Sequence, residues 1–358
     1  MSIEFIGLLH PHDRSEIHHS EGPVLDPPYA RRLLRAHEDA GFDRVLVGSS
    51  SSGPESLPLT MWAATVTERL GFMVAHRPGA TAPTVAARAF ATIDQLSGGR
   101  VALHTITGRD DREQRRDGDR LGKEERYART AEYLQVLKRA WTATEPFSFA
   151  GTYYEFEDFA TDVRPLQQPH PPIYFAGSSD AAYAVGAAEA DVYALYAQPL
   201  AQIAEEIAGI RAAAAAAGRT DGGPRFLLLA RPILGPTEDL AWERAHRILD
   251  LTRERRSRGL SPMRGTRTAL GGAQSAGDVR ATAVAGERHD RALWTAIAAT
   301  TQRGNASAFV GTPETVAAAL LDYVDLGIST FLLHGFNPYD DAIDIGRQLI
   351  PLVQAGAA

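Results

Sequence analysis

The chain has 358 residues, 44 acidic against 37 basic, a formal net charge of −7 and no cysteine. Mild acidity argues against a nucleic-acid partner, which needs a basic face, and the lack of cysteine excludes disulfides, thiolate nucleophiles and Cys-ligated metals. The apolar fraction of 44% supports a large core, and the length fits two domains or one α/β barrel.

The N-terminus, MSIEFIGLLHPHDRSE, lacks the basic flank and long apolar run of a signal peptide. No later stretch has the length of uncharged apolar sequence that a membrane span needs. The reading is a cytoplasmic protein.

In chain order, short apolar runs alternate with amphipathic stretches. EFIGLL precedes the helical pattern PPYARRLLRAHEDAG. DRVLVG and GFMVAH follow, then the helix TVAARAFATIDQLSGG. RVALHTI leads through a polar loop to the helix ERYARTAEYLQVLKRAW. PPIYFAG, DVYALY, the helix AQIAEEIAGIRAAAAAAG, RFLLLARPIL and TFLLHG complete the series. The runs are continuous rather than alternating, which is how strands buried on both faces of a parallel sheet read. Several helices end in Gly, a common C-terminal cap. Eight such runs predict a TIM (β/α)8 barrel spanning 1–358 as one domain; a doubly wound open sheet is the alternative.

Two stretches exceed a minimal barrel. Residues 143–172 are aromatic, polar and Pro-rich, an excursion before the fifth run. Residues 251–304 are rich in Gly, Arg, Ser and Thr without a sustained apolar period, and are expected to form a lid over the barrel mouth.

In a barrel the chemistry sits where strands end. Those ends carry His10 and His12, Ser49–Ser52, His76 and Arg77, His104 and Thr107, Ser178 and Ser179, Tyr196, Arg231 and His334. A single strand-end histidine is more often structural than catalytic; several converging on one mouth shift that balance. GSSDAAYAVGAAEAD is the most informative. Free N–H groups at a helix start, with two hydroxyls, suit a phosphate, although either serine could simply cap the helix. No GxGxxG follows a strand and no GxxxxGK[ST] occurs, so neither a Rossmann site nor a P-loop is expected. No HExxH or paired carboxylates stand near HPH at 10–12 or HH at 18–19, and no metal is expected.

The order HRPG, TAPTVAARAFATIDQLSGGRVALHTITG, ERYARTAEYLQVLKRAW, QQPHPPIYFAGSSDAA, AFVGTPETVAAALLDYVDLGI and GRQLIPLV resembles the bacterial luciferase-like flavin monooxygenases. Within them it is most similar to the FMNH2-dependent alkanesulfonate monooxygenase group. The resemblance implies FMNH2 in the barrel mouth, supplied by a separate NAD(P)H:FMN reductase. O2 is the co-substrate, and a flavin peroxide oxidises a small organic substrate such as a sulfonate, sulfone or other heteroatom-bearing compound. It also implies a homo-oligomer, a dimer or tetramer. Carried over by position, Ser178 and Ser179 approach the FMN phosphate and Tyr127 lies near it. His104 stands where relatives have Asn, facing the isoalloxazine ring, and Glu113 frames the same loop. Ser49, His76 and Thr107 complete the flavin side. Arg231 and Arg303 act on the substrate, with His10 and Phe336 beside it. The sulfonate enzymes carry a Cys after strand 2, an Arg and a His on strand 7 and a Tyr after strand 8; here these positions read GSSSSGPES, Leu229 and Arg231, and Phe336. An F420-dependent hydride-transfer enzyme and a non-catalytic flavin-binding barrel are the alternatives.

Overall fold

The structure is a computed structural model that describes residues 2–18, 22–108, 111–258, 286–301 and 304–357. Its centre is a ring of parallel strands: β1 (Glu4–Leu9), β2 (Arg44–Val47), β3 (Gly71–His76), β4 (Val101–Thr105), β7 (Ile173–Ala176), β8 (Val192–Tyr196), β9 (Arg225–Leu234) and β13 (Ile328–Leu333). Each pairs in parallel with the next, and β13 returns to β1, so the ring closes. All eight apolar runs of the sequence are these strands, and the fold is a TIM barrel.

The period of two along each strand separates two cores. Ile6, Leu8, Leu46, Met73, Ala75, Ala102, Leu227, Leu229 and Leu332 fill the barrel interior. Phe5, Val45, Phe72, Leu103, Phe175, Leu228 and Phe331 face outward into a larger core shared with the helices. Neither face meets water, so the runs show no polar alternation. The N-terminal end is closed by Glu4, which accepts from Tyr174 Oη at 2.7 Å and from Arg44 Nε at 2.8 Å.

The outer helices are α1 (Pro27–Asp39), α2 (Ser56–Thr65), α3 (Pro83–Ser97), α5 (Lys123–Thr142), α6 (Asp180–Glu189), α7 (Leu200–Ala216), α8 (Glu238–Ser257) and α10 (Pro313–Val324), with α11 (Pro338–Asp344) and α12 (Ile350–Gly356) at the C-terminal end. Helix α3 stops at Gly98 in the left-handed conformation, φ 71°, where a Cβ is disfavoured. A short helix, α4 (Asp111–Arg116), lies in the loop after β4.

The 143–172 excursion contains a hairpin, β5 (Phe147–Ala150) and β6 (Glu155–Phe159). Phe147 packs edge-on against both Phe156 and Phe159. The expected 251–304 insertion begins within α8, which runs to Ser257. Its later described part holds two short strands, β10 (Arg288–His289) and β11 (Leu293–Trp294), and helix α9 (Ala296–Thr301). Strand β12 (Ala308–Gly311) pairs in parallel with the second half of β9, Arg231–Leu234, whereas the first half pairs with β13. Residues 259–285 and Arg303 lie outside the described residues. Among those described, no helix is long and apolar enough to cross a membrane.

Candidate active site

At the C-terminal mouth, strand alternation continues beyond the interior core. On β4, Ala102 faces inward, so His104, two residues on, shares that face. It is fully buried, and its register partners are Ala75 and Tyr174. A polar ring thus stands in an otherwise apolar run because it points into the barrel near its open end.

Around β7 the phosphate candidates come together. Ser179 is the N-cap of α6 and accepts from Ala182 N at 3.3 Å. Its side chain also hydrogen-bonds Tyr127, whose phenol pKa is raised by burial. Tyr193 Oη donates to Gly177 O at 2.8 Å. A Cβ on Gly177 would fall 2.4 Å from Ala182 Cβ and 3.1 Å from Tyr127 Oη, so only glycine lets the strand turn so tightly into the helix. Ser178 is half-buried beside them.

The loop after β4 is held by ion pairs. Arg77 donates to Glu113 at 2.5 Å and to Asp117 at 2.8 Å. Ser51 N also donates to Glu113, at 3.2 Å. Arg129 spans Asp119 and Pro78 O, and buried Arg126 reaches Asp111 at 2.9 Å. Glu113 and Asp119 of this loop are therefore internal struts, whereas its own Arg112, Arg115, Arg116 and Arg120 are exposed. His76 hydrogen-bonds Tyr133 Oη at 2.6 Å and meets Phe90 edge-on, and burial lowers its pKa to about 4. Thr107 Oγ1 lies 3.4 Å from Thr130 Oγ1. His76 and Thr107 thus meet Tyr133 and Thr130 of α5, and Glu113 meets Arg77 and Ser51.

Across the mouth, over the ends of β1, β2, β9 and β13, lies a cavity of about 150 Å³. Leu8, Leu46 and Leu59 give it an apolar wall, and Ser49, Ser50, His10, Glu16, Arg231, Asn305 and His334 supply polar groups. Arg231 is held through both Nη atoms, while its Nε is buried with no hydrogen-bond partner among the described residues. Its Nη1 and Nη2 donate to the two carboxylate oxygens of Glu16 at 2.9 and 3.0 Å, and Nη2 also donates to Gly335 O at 2.8 Å. Its guanidinium carbon sits 3.6 Å from the centroid of the Phe336 ring, a stacked cation–π contact. Arg231 holds Glu16 well below the usual carboxylate range, against the desolvation that opposes it.

Gly335 is fixed by Asp341, which accepts from Phe336 N at 2.7 Å and Asn337 N at 2.9 Å. That carboxylate occupies the space a side chain at 335 would need. Burial lowers the pKa of His10 to about 4 and holds that of His334 well below its usual value, so both rings are neutral near pH 7. His10 Nε2 is buried with no hydrogen-bond partner among the described residues, leaving it available to a ligand.

The predicted site residues thus form two groups. Ser178, Ser179 and Tyr127 gather at β7, with His104 on neighbouring β4. His10, Ser49 and Arg231 line the cavity, with Phe336 stacked on Arg231. Glu16 and Arg14, also in that lining, were not legible as site residues. Glu16 sits in a loop of mixed charge and meets Arg231 at a separation of 215 residues, and no local spacing marks such a pair.

A luciferase-like monooxygenase family model matches residues 3–330. The chain belongs to the luciferase-like monooxygenase family. EDTA monooxygenase from Chelativorans sp. BNC1 is similar in structure, with a TM-score of 0.80 at 18% identity over 99% of this chain and 94% of that one. Long-chain alkane monooxygenase has a TM-score of 0.75 at 19% identity, covering 99% of this chain and 92% of that one. An F420-dependent secondary alcohol dehydrogenase has a TM-score of 0.68 at 18% identity, covering 99% of both chains. At these identities the likenesses establish the fold alone.

Proposed function

We propose that this chain is the oxygenase component of a two-component FMNH2-dependent monooxygenase that acts on a small heteroatom-bearing organic substrate. Family membership supports an oxidoreductase. The observation that carries the finer reading is the division of the mouth. Hydroxyl donors and a helix N-terminus stand at β7, four strands round the ring from β1 and the apolar cavity.

That division fits FMN. Ser178, Tyr127 and the free N–H groups at the start of α6 are donors of the kind a phosphate takes, and the Gly177 turn brings backbone close to it. His104 would serve the polar edge of the ring, since a neutral imidazole can donate or accept. Bound reduced flavin supplies the oxygen-activating chemistry.

The protein's own residues do the rest. His10, neutral at pH 7, offers Nε2 as a hydrogen-bonding or proton-accepting group to a substrate in the cavity. The Glu16–Arg231 pair holds the floor rigid and places the Gly335 carbonyl. The leucine wall excludes water. Arg303 and the 251–304 segment remain in the proposal as a positioning cation and a lid. A separate NAD(P)H:FMN reductase and a homo-oligomeric assembly belong to the same reading. The chain has four tryptophans, and their quenching in an anaerobic FMNH2 titration tests it: tight binding supports the proposal, and no binding removes it.

A further inference from the structure

The inward-facing rows of the barrel end in the cavity on uncharged polar groups. Ile6 and Leu8 of β1 and Leu332 of β13 face the barrel interior, and two residues beyond each row His10 and His334 line the cavity. These two strands are paired neighbours. Strand β2 lies on the other side of β1, and the loop after it brings Ser50 to the same lining. His10 Nε2, His334 Nδ1 and Ser50 Oγ are each buried with no hydrogen-bond partner among the described residues. Buried polar atoms are normally matched, and three unmatched ones around a single space suit a polar atom of a ligand.

The charge available to that ligand is small. Glu16 is the one carboxylate among the described lining residues, and Arg231 takes both its oxygens, so the pair is neutral as a unit. Both imidazoles are uncharged near pH 7. Arg14, the remaining cation of the lining, is partly exposed, so solvent shares its charge. Leu8, Leu9, Leu46 and Leu59 make up the apolar wall. An ionised group drawn into such a space gives up its water without gaining a counter-charge, whereas an uncharged oxygen gives up far less and meets donors. A hydroxyl donates, and a neutral imidazole donates in one of its tautomers.

We propose that the cavity selects an uncharged substrate bearing a carbonyl-like or sulfone-like oxygen, held by His10 and Ser50 with His334 beside them, its apolar remainder lying against the leucines. This deepens the oxygenase reading and rests on it, and it leads away from the anionic sulfonates of the group that the sequence resembles. A cavity of about 150 Å³ admits a group of roughly six heavy atoms.

The test titrates the full chain by ligand-observed NMR with pentan-2-one, butanoate and propane-1-sulfonate. 2-Methylpent-1-ene, in which CH2 replaces the ketone oxygen, and riboflavin run in parallel. The ketone is expected to bind about tenfold or more tightly than either anion. His10→Phe should weaken the ketone by about tenfold and Ser50→Ala by about fivefold, with the alkene not weakened by either. His10→Asn should keep part of the ketone affinity, and Arg14→Gln should leave it unchanged. Ser50→Ala, which removes only a hydroxyl, carries the test if His10→Phe does not fold. Either anion binding as tightly as the ketone would overturn the proposal, as would full ketone affinity in Ser50→Ala and in whichever His10 variant folds. Equal losses for riboflavin and the ketone would also overturn it, because the cavity would then hold the flavin ring. Ketone selectivity as expected in a protein that binds neither FMN nor FMNH2 would keep this site and remove the oxygenase reading instead.

Discussion

Replacing Glu16 by Gln separates a structural from a catalytic Arg231. The wild-type pair is bidentate, at 2.9 and 3.0 Å, with the Arg231 side chain 2% exposed and that of Glu16 15% exposed. Gln keeps the volume and one acceptor but removes the charge, leaving a buried guanidinium with a single amide oxygen, the Gly335 carbonyl and the Phe336 face but no counter-charge. Breaking such a pair from one side typically costs ~3 kcal/mol or more, mostly from the uncompensated charge. In a chain of this size that lowers the melting temperature by roughly 5 °C. The double variant Glu16→Gln with Arg231→Met removes both charges and should recover most of that loss, to within about 1 kcal/mol of wild type. Denaturant unfolding at pH 7 measures both. A Glu16→Gln protein within about 0.5 kcal/mol of wild type would show that the pair does not hold the cavity floor, and Arg231 would return as a free substrate clamp.

Three further outcomes follow from the same geometry. Ser179→Asp preserves the N-cap, since Asp caps as well as Ser, but sets a carboxylate beside the proposed phosphate; FMN affinity should fall by about a hundredfold or more with stability unchanged, and unchanged affinity in a flavin titration would remove that assignment. His104→Ala should weaken flavin binding by roughly fivefold to tenfold while His104→Asn keeps most of it; if the alanine variant retains full affinity and oxidation rate, His104 is a core residue. His10, His37 and His76 have folded pKa values lowered to about 4 from 6.5 by burial. Their contribution to stability is complete above pH 6.5 and is lost as pH falls towards 4. A His37→Gln protein should lose about 1.4 kcal/mol per pH unit of the stability slope between those limits, and an unchanged slope there would mean that His37 titrates normally in the folded chain.

The barrel was legible because its strands are buried on both faces, so all eight appear as unbroken apolar runs. What was not legible depends on contacts between distant segments. RFLLLARPIL reads as one strand, but its two halves pair with different partners, β13 and β12; the four-residue AFVG carries too little pattern to reveal that. The end of α8, LTRERRS, is polar because most of it is exposed, and so reads as the start of a loop. At the site, Ser178, Ser179 and His104 were visible because strand ends and helix starts mark them. The pairing of Arg231 with Glu16, and of Arg77 with Glu113, was not, because it forms only when the mouth closes the ring.

The most direct test of the central claim is an anaerobic titration of the protein with FMNH2, oxidised FMN and F420, followed by tryptophan quenching. Tight binding with a clear preference for FMNH2 is the predicted result. A preference for F420, or no binding to any of the three, would contradict it.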